Sequence, residues 1–176
     1  MKIIAIGAVT AGGKTTVVKA IKDRLPRTAA LHFDAYAFEG GVEDFNEWVS
    51  KGADYNVWDL SPLIADVEKI IHSGEYDYLL LDYPFAYQNK QMEDYIDCCI
   101  FIDTPLDIAM ARRVIRDMKS TSADDICNEM DAYLKYARIA YVQMLTDVLP
   151  MSDYVIDGAN DLETIINETM EIILRC

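Results

Sequence analysis

The feature that most constrains the fold of this chain is a glycine-rich loop near its N-terminus. Residues 8–15 read AVTAGGKT and match the pattern G-x-x-x-x-G-K-[ST] at all but the first position, where Ala8 stands for glycine. An apolar segment over residues 2–6 precedes the loop, and a segment with helical spacing over residues 15–25 follows it. Strand, loop and helix N-terminus in this order aim backbone N–H groups and the positive end of the helix dipole at one point. The sequence therefore predicts a phosphate-binding loop.

Side chains within this loop fit the phosphates of ATP, or of another nucleoside triphosphate, together with Mg²⁺. Gly12 and Gly13 allow the backbone to approach a phosphate closely, and Lys14 supplies a mobile positive charge for the β- and γ-phosphates. The hydroxyl of Thr15 can ligate Mg²⁺. A dinucleotide-binding loop is the main rival, but its G-x-G-x-x-G pattern is absent. The predicted nucleotide-binding residues of the loop are Thr10, Ala11, Gly12, Gly13, Lys14, Thr15 and Thr16.

Strand-like and helix-like segments alternate along the whole sequence. Predicted strands cover residues 2–6, 28–33, 76–81, 98–102 and 154–156. Predicted helices cover residues 15–25, 59–73, 105–118, 124–149 (as one helix or a broken one) and 160–174. Apolar strands separated by helices indicate a parallel sheet covered on both faces, that is, a three-layer α/β/α sandwich. Since no repeat or linker interrupts the pattern, we expect a single domain over residues 1–176.

The overall charge narrows the range of partners. The net charge is −14 at pH 7 and the sequence pI is near 4.4, so the field of the molecule repels nucleic acids and anionic membrane surfaces. No apolar run reaches the ~18–20 residues of a membrane span, and the sequence has no signal-peptide pattern. The four cysteines have the spacing of neither a zinc site nor a disulfide framework. We therefore expect a cytoplasmic protein that binds neither nucleic acid nor membrane, and the sequence leaves the oligomeric state open.

Polar residues follow the predicted strands at the edge of the sheet where ligands collect in open parallel sheets. Asp34 ends the second strand, Asp82 ends the third and Asp103 ends the fourth. Aspartates also end strands simply because they favour turns. We expect Asp82 to lie beside a Mg²⁺ ion held by the loop, Asp34 to be functional and Asp103 to cap the following helix. His32, which alternates within the second strand, is expected to be structural.

A cluster of arginines stands out in a chain with so few basic residues. Arg112, Arg113 and Arg116 lie within five positions on one predicted helix, so one of the first two shares a face with the third. Arginine is suited to holding phosphate oxygens. The alternative is a solvated helix surface on which these arginines pair with Asp107 or Asp117. We expect contacts with phosphate or substrate.

Several of these segments resemble the uridine kinase family and the related nicotinamide riboside kinases, almost from end to end. The segments that carry the resemblance are the loop GAVTAGGKTT at 7–16, FDAY at 33–36, YNVWD at 55–59, DTPLD at 103–107, ARRVIRD at 111–117 and SDYVI at 152–156. The resemblance implies a P-loop NTPase fold, an α/β/α sandwich with a five-stranded parallel sheet, and an ATP-dependent kinase. A hairpin that reads the pyrimidine in uridine kinases has no counterpart between residues 71 and 78, so the resemblance supports the kinase class more than uridine as the acceptor.

The resemblance also implies roles for individual residues. Asp34 would take the proton from the substrate hydroxyl, with Tyr36 beside it, and Asn56 stands where the family usually has a sugar-binding aspartate. Arg113 would face the substrate and Arg116 the ATP phosphates, in a short lid around residues 112–125. The catalytic residues expected on this basis are Asp34, Lys14, Arg113 and Arg116, the acceptor-binding residues are Asp34, Tyr36, Asn56 and Arg113, and the metal ligands are Thr15 and Asp82.

Taken together, the residues and the resemblance predict an ATP-dependent kinase that uses Mg²⁺ and phosphorylates a hydroxyl of a nucleoside-like or riboside-like small molecule. A kinase of another acceptor, such as a sugar, pantothenate or a cofactor precursor, stays open. The rival from another class is an NTP-binding or NTP-hydrolysing regulatory module without a small acceptor. The two classes differ in one feature, because only a kinase needs Asp34 to face a cavity large enough for a second ligand.

Overall fold

The sheet at the centre of the molecule has five parallel strands in the order β2-β3-β1-β4-β5. The computed structural model describes residues 1–176. The strands are β1 (Lys2–Gly7), β2 (Thr28–His32), β3 (Tyr78–Asp82), β4 (Cys98–Asp103) and β5 (Tyr154–Asp157). The five-stranded parallel sheet predicted from the sequence is confirmed, and because β1 is the central strand, the loop that follows it opens in the middle of the carboxyl edge.

Seven helices cover the sheet: α1 (Lys14–Arg24), α2 (Phe45–Ser50), α3 (Ser61–Ser73), α4 (Leu106–Asp117), α5 (Ala123–Ala132), α6 (Arg138–Asp147) and α7 (Leu162–Arg175). The alternation of side chains along β1 explains how both faces are filled. Ile3 and Ala5 join one buried cluster with residues of α2, α3 and α6, whereas Ile4 and Ile6 join a second cluster with residues of α1 and α7. The three-layer α/β/α sandwich is therefore confirmed.

The long helical segment that the sequence placed at 124–149 is divided into three pieces. Ser122 caps α5, a π-helical turn covers Tyr133–Ala137, and α6 continues from Arg138. Residues 118–122 form the turn between α4 and α5, so the segment 112–125 consists of the end of α4, this turn and the start of α5. No helix in residues 1–176 has the length and apolar character needed to cross a bilayer.

Two local differences from the sequence predictions bear on the site. β2 ends at His32, one residue earlier than predicted, and Asp34 lies in a short 3₁₀ turn over Phe33–Ala35 rather than at the strand end. Helix α2 was not predicted from the sequence. Its first turn is capped by Asp44, whose carboxylate accepts hydrogen bonds from two backbone N–H groups.

The expectation that Asp103 caps the helix after β4 is wrong. Asp103 is the last residue of β4, and Pro105 occupies the N-cap position of α4 without a side-chain hydrogen bond. The residue between them, Thr104, is buried and donates a hydrogen bond from Oγ1 to the carbonyl oxygen of Gly12 at 2.8 Å. This contact ties the end of β4 to the glycine-rich loop.

Candidate active site

The glycine-rich loop runs from the end of β1 to the start of α1 and leaves backbone N–H groups free at the helix N-terminus. Gly13 occupies the N-cap position with φ 107° and no side-chain cap, a backbone conformation that favours glycine. A Cβ atom added to Gly13 would meet nothing within 4 Å, because that side of the loop faces open space. A helix N-terminus of this kind, with uncapped N–H groups and an open approach, fits an anionic phosphate.

The alanine at the first position of the loop motif does not disturb the loop. Ala8 is buried, and its backbone lies outside the left-handed region, where a methyl group would be strained. The left-handed residue in this part of the loop is Ala11, with φ 57°, and the Gly12 N–H donates to the carbonyl oxygen of Val9 at 2.9 Å. Gly12 packs against Ala8, because a Cβ on Gly12 would approach the Ala8 Cβ to 2.8 Å.

Lys14 lies at the bottom of the site with only 13% of its side chain exposed. Its Nζ is 3.9 Å from Oδ1 of Asp82. Burial lowers the pKa of Lys14 below its ordinary value, the charge of Arg116 adds to this, and the carboxylates of Asp82 and Asp34 act in the opposite direction. A nucleotide phosphate in this place would add further negative charge and so favour the ammonium form.

Asp82, at the end of β3, is 5% exposed and receives two side-chain contacts on its Oδ2 atom. The Thr15 hydroxyl donates to it at 2.6 Å, and the His32 Nδ1 lies 2.9 Å away. A hydroxyl and a carboxylate side by side are oxygen ligands suited to Mg²⁺, which usually keeps several waters and phosphate oxygens as its other ligands. The chain has no group of three or more His, Cys, Asp or Glu side chains that could hold a metal ion.

His32, which the sequence predicts to be structural, contacts Asp82 and does not itself line the cavity. It is the partner of Asp82 in the pairing of β2 with β3, which explains why its ring reaches the carboxylate. The signal in the sequence was its position at the end of the strand next to the one that carries Asp82. Without knowledge that β2 and β3 are neighbours, that signal could not be used.

Asp34 lies on the 3₁₀ turn after β2, is exposed, and faces the same cavity as the loop. This cavity has a volume of about 600 Å³. Its polar end contains the loop residues 10–16 together with Asp34, Asp82, Arg112 and Arg116. The Asp34 carboxylate acts electrostatically on both Lys14 and Arg116, so the acid stands within the range of the cations that would hold a phosphate.

The three arginines of α4 have different surroundings. Arg112 and Arg116, one helical turn apart, line the cavity. Arg113 does not line it, and its guanidinium pairs instead with Glu129 of α5. The Arg116 guanidinium donates two hydrogen bonds to Asp117 at 2.6 and 2.8 Å, and these raise its pKa. The arrangement therefore brings Arg112, rather than the expected Arg113, to the cavity beside Arg116.

Two residues expected to bind the acceptor lie outside the cavity. The Tyr36 hydroxyl donates a hydrogen bond to Asp66 of α3 at 3.0 Å, and burial together with this bond raises the pKa of Tyr36 to about 12. The Asn56 amide donates to Asp54 at 2.8 Å and accepts from the backbone N–H of Lys90 at 2.9 Å. Both side chains are therefore engaged by neighbouring segments and do not face the cavity.

The other end of the cavity is an aromatic wall, and it was not predicted from the sequence. We use this name for six residues that line the cavity and lie in ring-to-ring contact: Phe33, Phe45, Trp48, Tyr55, Trp58 and Phe85. Two of them come from the unpredicted helix α2, and the others come from the connections β2–α2, α2–α3 and β3–β4. The segments at 33–36 and 55–59 had drawn attention for other residues, and in the second the rings, not Asn56, face the cavity.

Comparisons with known proteins find similar proteins at a low level of sequence identity. The chain is 26% identical over 181 residues to a uridine kinase of Streptococcus thermophilus, an alignment that covers 88% of this chain and 84% of that protein. It is 25% identical over 202 residues to a uridine kinase of Streptococcus pyogenes, with 98% and 96% covered. No protein-family model matches the chain.

A solved structure has the same fold. The crystal structure of shikimate kinase from Bacteroides thetaiotaomicron superposes with a TM-score of 0.53 at 14% sequence identity and covers 98% of each chain. At this identity the likeness concerns the fold alone. The shared fold is a five-stranded parallel sheet covered by helices, and in this chain the glycine-rich loop follows the central strand.

Proposed function

We propose that this chain is an ATP-dependent kinase that transfers the γ-phosphate to a hydroxyl of a nucleoside-like or riboside-like small molecule. The observation that carries the proposal is that Asp34 and the phosphate loop face one cavity of about 600 Å³, which extends beyond both of them to the aromatic wall. A cavity of this size lies within the range of small-molecule sites. The similarity to proteins named uridine kinase supports the same class.

The loop end of the cavity would hold the nucleotide. The N–H groups at the start of α1 and the Lys14 ammonium bind phosphate oxygens, and Arg116 can exchange Asp117 for a phosphate. Thr15 and Asp82 would hold Mg²⁺, directly or through water. When bound, Mg²⁺ neutralises charge on the β- and γ-phosphate oxygens.

Asp34 would orient the acceptor hydroxyl and accept its proton. Phosphoryl transfer depends on positioning and charge stabilisation more than on covalent chemistry, so a carboxylate near the phosphates has a defined task. Asp34 is exposed to the cavity and has no side-chain hydrogen-bond partner in the protein, which leaves both oxygens free for an acceptor. The end of α4 and the start of α5, around residues 112–125, would serve as the lid of a single catalytic domain that works in the cytoplasm.

A regulatory module that only binds or hydrolyses NTP is the second candidate, and the cavity argues against it. Such a module needs the phosphate loop and its Mg²⁺ ligands, but it needs neither a free carboxylate near the phosphates nor an adjoining apolar compartment. The chain has both, and they are continuous with the loop. The kinase accounts for more of the site.

A screen of ATP consumption over nucleosides, ribosides and sugars tests the proposal. We expect at least one nucleoside or riboside to accelerate ADP formation, with one phosphorylated acceptor formed for each ADP. Slow ATP hydrolysis that no acceptor accelerates would replace the kinase with the regulatory module. Acceleration by a plain sugar alone would keep the kinase class and remove the nucleoside-like acceptor.

A further inference from the structure

The rings of the aromatic wall form a continuous path that starts beside the proposed base. Phe33 precedes Asp34 in the chain, and its ring lies 5.1 Å from that of Phe85, centroid to centroid. Phe85 lies 4.7 Å from Trp58, and Trp58 lies 5.8 Å from Trp48 of α2. An acceptor whose hydroxyl reaches Asp34 must therefore place the rest of its body along these rings.

The polar atoms of these rings are the Nε1 atoms of Trp48 and Trp58 and the hydroxyl of Tyr55. Each of them is hydrogen-bonded within the protein or directed away from the cavity. The Trp48 Nε1–H donates to the carbonyl oxygen of Asp54 at 3.0 Å. Tyr55 is buried, and its pKa is raised by burial and by the nearby carboxylate of Asp147, which does not line the cavity. The Trp58 Nε1 lies against Gly41, which does not line the cavity either. The wall therefore offers carbon surface rather than hydrogen bonds.

The part of the cavity lined by the π-helical turn and α6 is also apolar. The cavity-lining residues of the π-helical turn and α6 are Ala137, Ala140, Tyr141 and Met144, of which only Tyr141 has a hydrogen-bonding group. The cations of the cavity, Lys14, Arg112 and Arg116, all belong to the loop and α4. An acceptor that carries a carboxylate or phosphate would find no partner among the aromatic and α6 residues, and its desolvation would be costly.

Side chains that could have held a pair of sugar hydroxyls are engaged elsewhere. Asn56 is bonded to Asp54 and to the backbone of Lys90, outside the cavity. Arg113 is paired with Glu129. A site that recognises hydroxyls by hydrogen bonds discriminates strongly against analogues without them, whereas an apolar site does not.

We propose that the acceptor end of this site takes a neutral alcohol with a flat body and does not recognise the vicinal hydroxyls of a sugar. The inference rests on the proposed kinase function and adds the chemical class of the acceptor. Specificity comes from the fit of the flat body against the apolar residues of the aromatic wall and α6, and the reacting hydroxyl is the one polar group that meets a protein partner, Asp34.

The intrinsic fluorescence of the protein tests this inference without turnover. The chain has two tryptophans, Trp48 and Trp58, and both belong to the aromatic wall. We would titrate the protein, with Mg²⁺ and a non-hydrolysable ATP analogue present, with uridine, 2′-deoxyuridine, ribose and shikimate. The first pair differs in one sugar hydroxyl, ribose lacks the flat body, and shikimate carries a carboxylate and several hydroxyls.

We expect dissociation constants for uridine and 2′-deoxyuridine that agree within about three-fold, and ribose and shikimate at least about ten-fold weaker. Phe45→Ala should weaken both nucleosides by about five-fold, because it removes one ring of the wall. Tyr95→Ala is the control, since this half-buried ring lies at the opposite edge of the sheet and should change neither constant.

Each of three results would overturn the inference. The first is a ten-fold preference for uridine over 2′-deoxyuridine, and the second is binding of ribose or shikimate as tight as that of uridine. The third is no binding of either nucleoside. Equal loss of affinity in Phe45→Ala and Tyr95→Ala would overturn it as well. Failure of the proposed function looks different: both nucleosides bind as expected, but no phosphate is transferred to either. Binding and transfer are thus tested separately.

Discussion

The two ends of the cavity are built in different ways. At the loop end, residues 10–16 are consecutive in the chain, and a strand and a helix hold them from both sides. At the aromatic end, the rings come from four separate stretches of chain and are held by contact with one another. A local motif thus provides the charges that suit phosphates, and a tertiary assembly provides the surface that suits an acceptor.

This difference bears on which side chains can vary without loss of the fold. The loop is fixed by the central strand, by the Thr104 bond to Gly12 and by the close packing of Gly12 on Ala8. Trp48, Tyr55 and Phe85 are buried in the cluster that covers one face of the sheet, whereas Phe45 on the short helix α2 is only partly buried. A change at Phe45 therefore alters the aromatic end of the cavity at a lower cost to the core. We therefore expect substitutions at the two ends to produce separable defects.

The largest expected effect is that of Asp34→Asn on turnover. The substitution removes the proposed base and keeps the size of the side chain, and general-base assistance is typically worth ~10²–10⁴-fold. With an acceptor that supports turnover, kcat should fall by this amount. Asp23→Asn, an exposed position on α1, is the control and should keep the rate of the unaltered protein. An unchanged kcat in Asp34→Asn would remove the proposed base.

A smaller effect should separate two neighbouring arginines of α4. Arg116 lines the cavity, whereas Arg113 is paired with Glu129. Arg116→Gln should lower kcat by about ten-fold or more, because a charge that faces the transferred phosphate is lost. Arg113→Gln should change kcat by less than about three-fold and cost no more than about 1 kcal/mol of stability, as for a partly exposed ion pair.

Steady-state kinetics and urea unfolding of the two arginine variants provide the measurement. If Arg113→Gln instead has the larger kinetic defect, Arg113 leaves Glu129 during turnover. Arg113 would then face the substrate during turnover, as the family resemblance implies.

The smallest expected effect concerns Tyr36, which is bonded to Asp66 of α3. Tyr36→Phe should leave the KM for the acceptor unchanged and lower the free energy of unfolding by about 1 kcal/mol at neutral pH. The pKa of Tyr36 is raised to about 12, so its contribution is fully present below the unfolded value near 10 and is lost as the pH rises from about 10 to 12.

Urea unfolding of the unaltered protein and of Tyr36→Phe at pH 8 and pH 11 checks the Tyr36 prediction. The stability difference between the two proteins should be smaller at pH 11. A several-fold increase in the KM for the acceptor in Tyr36→Phe would show that Tyr36 contributes to acceptor binding. The proposed division of the cavity into two ends would then have to be redrawn.

Much of the fold could be predicted because its determinants are local. The strands are short apolar runs, and Gly74 ends α3 in a left-handed conformation where the sequence predicted a stop. Helix α2 escaped prediction because six residues are too few to show a helical period. The π-helical turn at Tyr133–Ala137 escaped it because the apolar spacing alone does not fix the hydrogen-bond pattern.

The site was predictable at the loop end only. Lys14, Thr15 and Asp82 follow from a motif and from an acid after an apolar strand, and the structure brings all three together. The choice between Arg112 and Arg113 depends on a rotation of about 100° on α4, which spacing without tertiary contacts does not determine. The aromatic wall joins residues up to 52 positions apart in sequence, Phe33 to Phe85, and no local pattern connects them.

The central claim is that the loop end holds the nucleotide and the other end serves the acceptor. Nucleotide affinity in two variants tests it most directly, by titration with Mg²⁺ and a fluorescent ATP analogue. Lys14→Ala should weaken binding by about 10–10²-fold, since a charge-assisted contact to phosphate is lost, with the exposed Lys22→Ala unchanged as the control. Asp34→Asn should bind the nucleotide within about two-fold of the unaltered protein. Nucleotide affinity lost equally in Lys14→Ala and Asp34→Asn, or retained in Lys14→Ala, would contradict the division of the cavity into two ends.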